Sequence, residues 1–181
     1  MAILPICTWG HPVLKTRAKE IKQVDDRIRQ LARDMLETMR AENGLGLAAN
    51  QVGVAERLFV VEVPAKVGPP VTHIIINPKI TFRSKEKETL DEGCLSFPQL
   101  WGPVERALEV EIEGVDLEGK QVLIRGAGMV GRAFQHELDH LDGIVFIERM
   151  NLVHRVRLNK QLREIARATR NALAGRKAAK L

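Results

Sequence analysis

Residues 135–143 read QHELDHLDG, and within them His136, Glu137 and His140 form the pattern H-E-x-x-H. On a helix, side chains four apart lie one above the other on one face. Two imidazoles can then meet at a single point, as a metal ion requires. Glu137 is turned about 100° from His136, which sets a carboxylate beside that point in the position of a general base acting on water. The surrounding pattern constrains the helix further. Met129, Ala133, His136 and His140 fall on one face and Val130, Phe134, Leu138 and Leu141 on another. Such a helix is apolar on nearly all sides and should be buried, opening after Gly126-Ala127-Gly128 and closing at Asp142-Gly143. A buried histidine pair without a partner is costly, so the pattern favours a metal site over two unconnected histidines.

Two imidazoles do not complete such a site. The longer pattern H-E-x-x-H-x-x-G-x-x-H is followed as far as Gly143, but its last position holds Phe146, which cannot ligate. Glu164, at the distance of a downstream glutamate ligand, lies between Arg163 and Arg167 on a stretch that reads as an exposed basic helix. Cys94 suits the role better. A thiolate with two neutral imidazoles leaves a fourth position for water, and thiolate accepts iron or nickel as well as zinc. The rival reading, Cys94 as a nucleophile paired with one histidine, leaves the second histidine and Glu137 without a role. A purely structural site would need a fourth protein ligand, and none is evident near Cys94.

The rest of the chain is ordinary for a globular protein. With 181 residues, 45% hydrophobic and 28% charged, it should form one domain, residues 1–181. No apolar run approaches the roughly 20 residues of a membrane span, and MAILPICTWGHPVLK is not built as a signal peptide. A cytoplasmic setting is therefore expected. Cys7 and Cys94 are too few for a disulfide framework, and Cys7 reads as a small buried hydrophobe. Charge is unevenly spread. From His154 onward there are nine Lys or Arg against one acid, Glu164, a net of +8 in a chain of +5, so the remainder carries −3.

Taken in order, the first 20 residues predict an irregular arm with His11 exposed in a turn. A helix capped by Asp25 or Asp26 buries Ile28, Leu31, Met35 and Met39 and stops near Asn43-Gly44. The glycine-rich segment 44–51 would allow close approach of a backbone to a ligand, with Gln51 offering a neutral amide donor, and a helix cap and loop would explain it equally well; it is not a phosphate loop. A strand over 58–63 is expected, then a loop from Pro64 to Pro70. Further strands are expected over 72–77 and from Ile80, separated by Pro78. Ser84 to Glu88 is a charged turn, and 91–98 an irregular segment between Gly93 and Pro98. The run 107–115 alternates, with Leu108, Val110 and Ile112 facing one way, and residues 121–125 return after a turn at Asp116–Gly119. One last helix should run from Asn151 to about Gly175 with Val156, Leu162, Ile165 and Ala168 or Ala172 as its apolar stripe.

Three segments together, GLGLAANQ at 44–51, EGCLS at 92–96 and QHELDHLDG at 135–143, resemble in sequence and order the three motifs of the peptide deformylase family. The likeness extends over most of the chain to about residue 150. It implies an α+β fold with mixed or antiparallel sheets packed around a central metal-binding helix, followed by a C-terminal helix. It implies removal of the formyl group from nascent polypeptides that begin with N-formylmethionine, releasing formate. Carried onto this sequence, Cys94, His136 and His140 would hold one divalent metal ion, Fe²⁺ in many relatives and nickel or zinc in others. Glu137 would be the acid and base, with the Gln51 amide and the Leu95 backbone N–H forming an oxyanion hole. Gly44, Gly46 and Gly93 would let an extended peptide lie beside the site. Leu45, Leu90, Met129 and Ala133 would surround the methionine side chain, and Glu92 would pair with Arg106. The sequence departs from many bacterial relatives at Leu100-Trp101, where those carry a basic residue, which bears on the outer rim. Residues 151–181 would form a basic helix and tail, similar to a ribosome-docking element of related enzymes; a solvated helix packed on the body is the plainer alternative. The competing functions are an H-E-x-x-H endopeptidase and a ribosome- or RNA-binding factor with a structural metal.

Overall fold

A computed structural model describes residues 2–64 and 70–178, without the side chains of 176–178; the remainder of the loop expected from Pro64 to Pro70 lies outside the described residues. Helix α1 spans Asp26–Ala41, and the Asp25 carboxylate caps it by accepting from the Ile28 N–H at 2.9 Å. Its stripe of Ile28, Ala32, Met35 and Met39 is fully buried. Asn43, at φ 55°, turns the chain out of the helix. Seven strands follow: β1 (Gly46–Ala48), β2 (Leu58–Val63), β3 (Val71–Arg83), β4 (Lys87–Cys94), β5 (Phe97–Ala107), β6 (Glu109–Val115) and β7 (Gln121–Ala127). They form a five-stranded antiparallel sheet in the order β1-β2-β3-β6-β7 and a separate β4-β5 hairpin. Helix α2 (Gly128–Leu141) lies against the sheet, and α3 (Leu152–Arg157) and α4 (Asn159–Ala178) end the chain. This is the α+β architecture expected.

Strand β2 explains how the sheet is covered. Leu58 and Val60 pack with the α1 stripe, whereas Phe59 and Val61 pack with Phe134 and Leu141 of α2. A strand covered on both faces must be apolar at every position, and residues 58–61 are. A third cluster joins the hairpin to the C-terminal part through Phe97, Leu100, Val104, Phe146, Ile147 and Leu162. The N-terminal arm runs across these layers. Its Cys7 N–H donates to the Gln51 carbonyl and its Trp9 N–H to the Ser96 carbonyl, and Thr8 shares a 2.6 Å hydroxyl bond with Thr169 of α4. His11 is half-buried and caps a short 3₁₀ turn at Pro12–Lys15 rather than standing free.

Several expectations are corrected. Segment 46–48 is a strand, and 49–52 a 3₁₀ turn, in place of a cap and loop. The strands expected on either side of Pro78 are one strand. Asn77 takes φ 51° there, its side chain bonds both the N–H and the carbonyl of Ile21, and the ladder shifts register between Ile76 and Lys79. This accommodates a residue that has no N–H to give. Segment 87–107 is a full hairpin. Leu108 is 36% exposed at the bend between β5 and β6, so β6 buries Val110, Ile112 and Gly114 instead. The single C-terminal helix divides at Leu158, and among the described side chains of α4 the buried ones are Leu162, Ala166 and Thr169, with Val156, Ala168 and Ala172 exposed. Among the described residues no helix is long and apolar enough to cross a membrane.

Candidate metal centre

Helix α2 buries ten of its fourteen residues, including Arg132, Gln135, His136, Glu137, Asp139 and His140. The hairpin brings Cys94 to it through a register shift at Gly93/Cys94, which re-aims the side chain as β-bulges do. One ligand atom each from Cys94, His136 and His140 lie within 4.8 Å of one another. Cys94 Sγ is 3.2 Å from His140 Nε2. Tetrahedral coordination with ordinary metal–sulfur and metal–nitrogen lengths sets such a pair about 3.6 Å apart, so this donor set fits a single ion. Glu137 Oε2, buried beside this donor set, supports the fit, since among the described residues it has no hydrogen-bond partner.

The ligands are held from behind. His136 Nδ1 meets Glu92 Oε2 at 2.9 Å, which fixes the ring and directs its other nitrogen to the cysteine. Glu92 is itself gripped by Arg106 at 3.0 Å through both oxygens and by Arg132 at 2.8 Å. Arg106 continues to Asp139 at 2.5 Å, and Arg149 closes on the same carboxylate. The Asn50 amide donates to the His140 backbone carbonyl, and the Gln135 amide bonds both the N–H and the carbonyl of Ala107. The Glu92–Arg106 pair is thus the centre of a larger network. Arg132, Asp139, Arg149 and Asn50 were missed, although charged residues inside an otherwise apolar helix need partners and could have been sought at 132 and 139.

Electrostatics follow this packing. Burial alone would raise Glu92, but its bonds to His136 and Arg106 outweigh burial and hold it at about 2. Burial pushes the Glu137 carboxyl up to about 7, against the pull of His136. Burial also holds His140 well below its ordinary range and so neutral, the form that ligates. For His136 burial favours the neutral ring, but Cys94 and Glu92 outweigh it and raise the imidazole well above its ordinary value. A proton held between two acidic partners is one that a metal ion would displace.

Glu92, Cys94, His136 and Glu137 face a cavity of about 310 Å³ also lined by Gly44, Leu45, Gly46, Gln51, Gly93, Leu95, Met129 and Ala133, among others; His140 is not in its lining. Gly46 has no room for a side chain, since a Cβ would collide with the Glu137 carboxylate. Gln51 is anchored by accepting from the Ala48 N–H at 2.7 Å, and its Nε2 points to Cys94 Sγ at 3.4 Å and Ser96 Oγ at 3.3 Å. Leu90 is not brought to this cavity. It stands 39% exposed opposite Val104 on the hairpin and outside the lining. Leu100 and Trp101 both line the cavity, Leu100 buried and Trp101 exposed. Phe146 is fully buried and stacks near His136, with ring centroids 6.2 Å apart.

Comparison with known proteins agrees with this geometry. The polypeptide deformylase family profile matches residues 3–156. A peptide deformylase of Desulforudis audaxviator is 44% identical over 155 residues, covering 86% of this chain and 98% of the relative. One from Acinetobacter baumannii is 41% identical over 167 residues, covering 92% and 94%. The crystal structure of peptide deformylase from Ehrlichia chaffeensis in complex with actinonin superposes with a TM-score of 0.84 at 37% identity, covering 93% of this chain and 98% of that one. With three motifs, the donor set and the fold in agreement, the chain belongs to the polypeptide deformylase family.

Proposed function

We propose that the chain removes the formyl group from the N-terminal formylmethionine of nascent polypeptides and releases formate. The observation that carries this reading is the convergence of Cys94, His136 and His140 within 4.8 Å beside a buried Glu137 at the floor of a cavity. Cys94, His136 and His140 would hold one divalent metal ion, Fe²⁺ in the native protein, which would supply Lewis acidity and a water acidified to near neutrality. Glu137 takes the proton from the attacking water and passes it to the amine nitrogen as the formyl C–N bond breaks. A carboxyl pushed up to about 7 suits a group that both accepts and gives a proton near neutral pH. The Gln51 amide and the Leu95 backbone N–H face the developing oxyanion. Gly44, Gly46 and Gly93 line the cavity along which an extended peptide would lie, and Leu45, Met129 and Ala133 surround its methionine.

The same reading takes residues 1–181 as one cytoplasmic deformylase domain, with 151–181 as a basic appendage whose cations suit ribosomal RNA near the site where nascent chains emerge. The structural-metal alternative gains no support, because three protein donors leave a coordination position open, and the endopeptidase alternative gains none, because the family profile and the relatives are those of peptide deformylases.

Formate release from formyl-Met-Ala-Ser, measured beside metal content, tests the proposal. The parent should release formate and carry about one metal per chain. The Glu137→Gln variant should keep the metal and lose the activity by about 10²- to 10⁴-fold. Formate release by that variant at the parent rate would reject the mechanism.

A further inference from the structure

Trp101 of β5 stands opposite Gly93 of β4. A Cβ built at Gly93 would lie 2.8 Å from each of Cδ2, Cε2 and Cζ2 of the indole. A point equidistant from three adjacent atoms of a six-membered ring sits over the centre of that ring. The indole therefore lies face-down on the Gly93 backbone, and a glycine is needed beneath it. Its other face is open, since Trp101 is 65% exposed. The second tryptophan differs, for Trp9 is half-buried and stacks on Phe97 with ring centroids 5.4 Å apart. A single exposed apolar side chain would ordinarily mean nothing. Here it forms part of the wall of the cavity that holds Glu137 and Cys94.

The exposed charges in that lining are negative. Glu42 and Asp91 line the same cavity, both are exposed, and among the described residues neither has an ion-pair partner. Arg132, the only Lys or Arg in the lining, is buried and committed to Glu92 and to the Glu88 and Val104 carbonyls. The same cavity thus offers an aromatic face, which carries negative quadrupole charge, and two exposed carboxylates without an ion-pair partner among the described residues. A formylated N-terminus is uncharged, so the first positive charge a substrate can present is a side chain. Extended residues advance about 3.3 Å each, so the second or third residue of the peptide reaches the mouth of a cavity this size.

We propose that Trp101 is a specificity-determining residue whose open face, in a cavity that Asp91 and Glu42 also line, receives a lysine or arginine side chain from the second or third position of the formylated peptide. The proposal rests on the deformylase reading above.

The test compares kcat/KM for formate release by the metal-loaded full chain on formyl-Met-X-Ala-Ser and formyl-Met-Ala-X-Ser, with X as Lys, Gln, Leu or Glu. At one of the two positions Lys should exceed Gln by about threefold, as a surface cation–π contact allows, and Glu by about tenfold, as the carboxylates add repulsion. The difference should lie in KM. Trp101→Phe should keep most of the Lys preference, Trp101→Ala should bring Lys and Gln within about twofold of each other, and Asp91→Asn should narrow the gap between Lys and Glu. Equal rates for Lys, Gln and Glu at both positions would overturn the proposal. So would a preference for Leu over Lys, or a Lys preference that survives Trp101→Ala. Absence of formate from every peptide would instead reject the deformylase reading itself.

Discussion

Helices α2 and α4 both carry many polar and charged side chains, and the fold treats them in opposite ways. In α2 the polar groups point inward, where Arg132, Gln135, His136 and Asp139 each have a named partner on the hairpin or the segment after the helix. In α4 the buried ridge is Leu162, Ala166 and Thr169, and Lys160, Arg163, Arg167 and Arg170 are exposed. Among the described residues no ion pair involves a side chain beyond Arg149. Charge in a helix therefore says little until its surroundings are known. A buried charge fixes neighbours to one another, whereas an exposed one acts on solvent and on partners.

If this contrast holds, substitutions at the two helices should differ in size and in kind. The largest effect belongs to the network behind α2. Arg106→Leu strips both Glu92 and Asp139 of a buried partner and should lower unfolding free energy by about 3–5 kcal/mol, measured by urea titration. A loss below about 1 kcal/mol would place these charges with surface pairs. Next is Gly46→Ala, which forces the Glu137 carboxylate aside. A misplacement on the order of 1 Å should cost about 10²-fold in kcat with metal content unchanged, read by formate release beside metal analysis. On α4 the corresponding effect is one of packing. Leu162→Ala should cost about 2 kcal/mol in the same titration and leave kcat within about twofold, since Leu162 does not line the cavity. The smallest change in stability, within about 0.5 kcal/mol, should follow from Arg163→Gln, Arg167→Gln and Arg170→Gln combined. Ribosome co-sedimentation should nonetheless fall, with formate release preserved. Unchanged co-sedimentation would remove these cations from any docking role. Neutralisation is a cleaner test than deleting 155–181, because that deletion would also uncover the third core cluster.

Much of the site was legible because its pattern is local. His136, Glu137 and His140 lie within one and a half turns, and Phe146 excluded the commonest way of completing the set. The capped helix α1 and the alternating β6 were legible for the same reason, as each follows a single period along the chain. What escaped was set by tertiary contact. The β4-β5 hairpin has a polar, exposed outer face and carries Pro98, Pro103 and a positive-φ Gln99, so no alternation marks it. The passage of β3 through Pro78 depends on Asn77 reaching back to Ile21, 56 residues away. Leu90 shares the alternation of its strand with residues that do face the cavity, and nothing in its own neighbourhood reveals which side the hairpin presents. The bend at Leu158 likewise interrupts a stretch that has no Gly or Pro to mark a break.

The bond between Thr8 and Thr169 joins residues 161 apart in the chain, and Ala166 packs so closely on Gly10 that a Cβ there would stand 2.8 Å from the helix backbone. During synthesis the arm that crosses the sheet and the hairpin is among the first segments made, yet its last support is translated near the end. Loops of this length close slowly. A protein that trims the front of other nascent chains therefore cannot finish its own front until nearly all of it has left the ribosome. Its metal centre, divided between residue 94 and residues 136–140, is likewise delayed until the hairpin and α2 have both emerged.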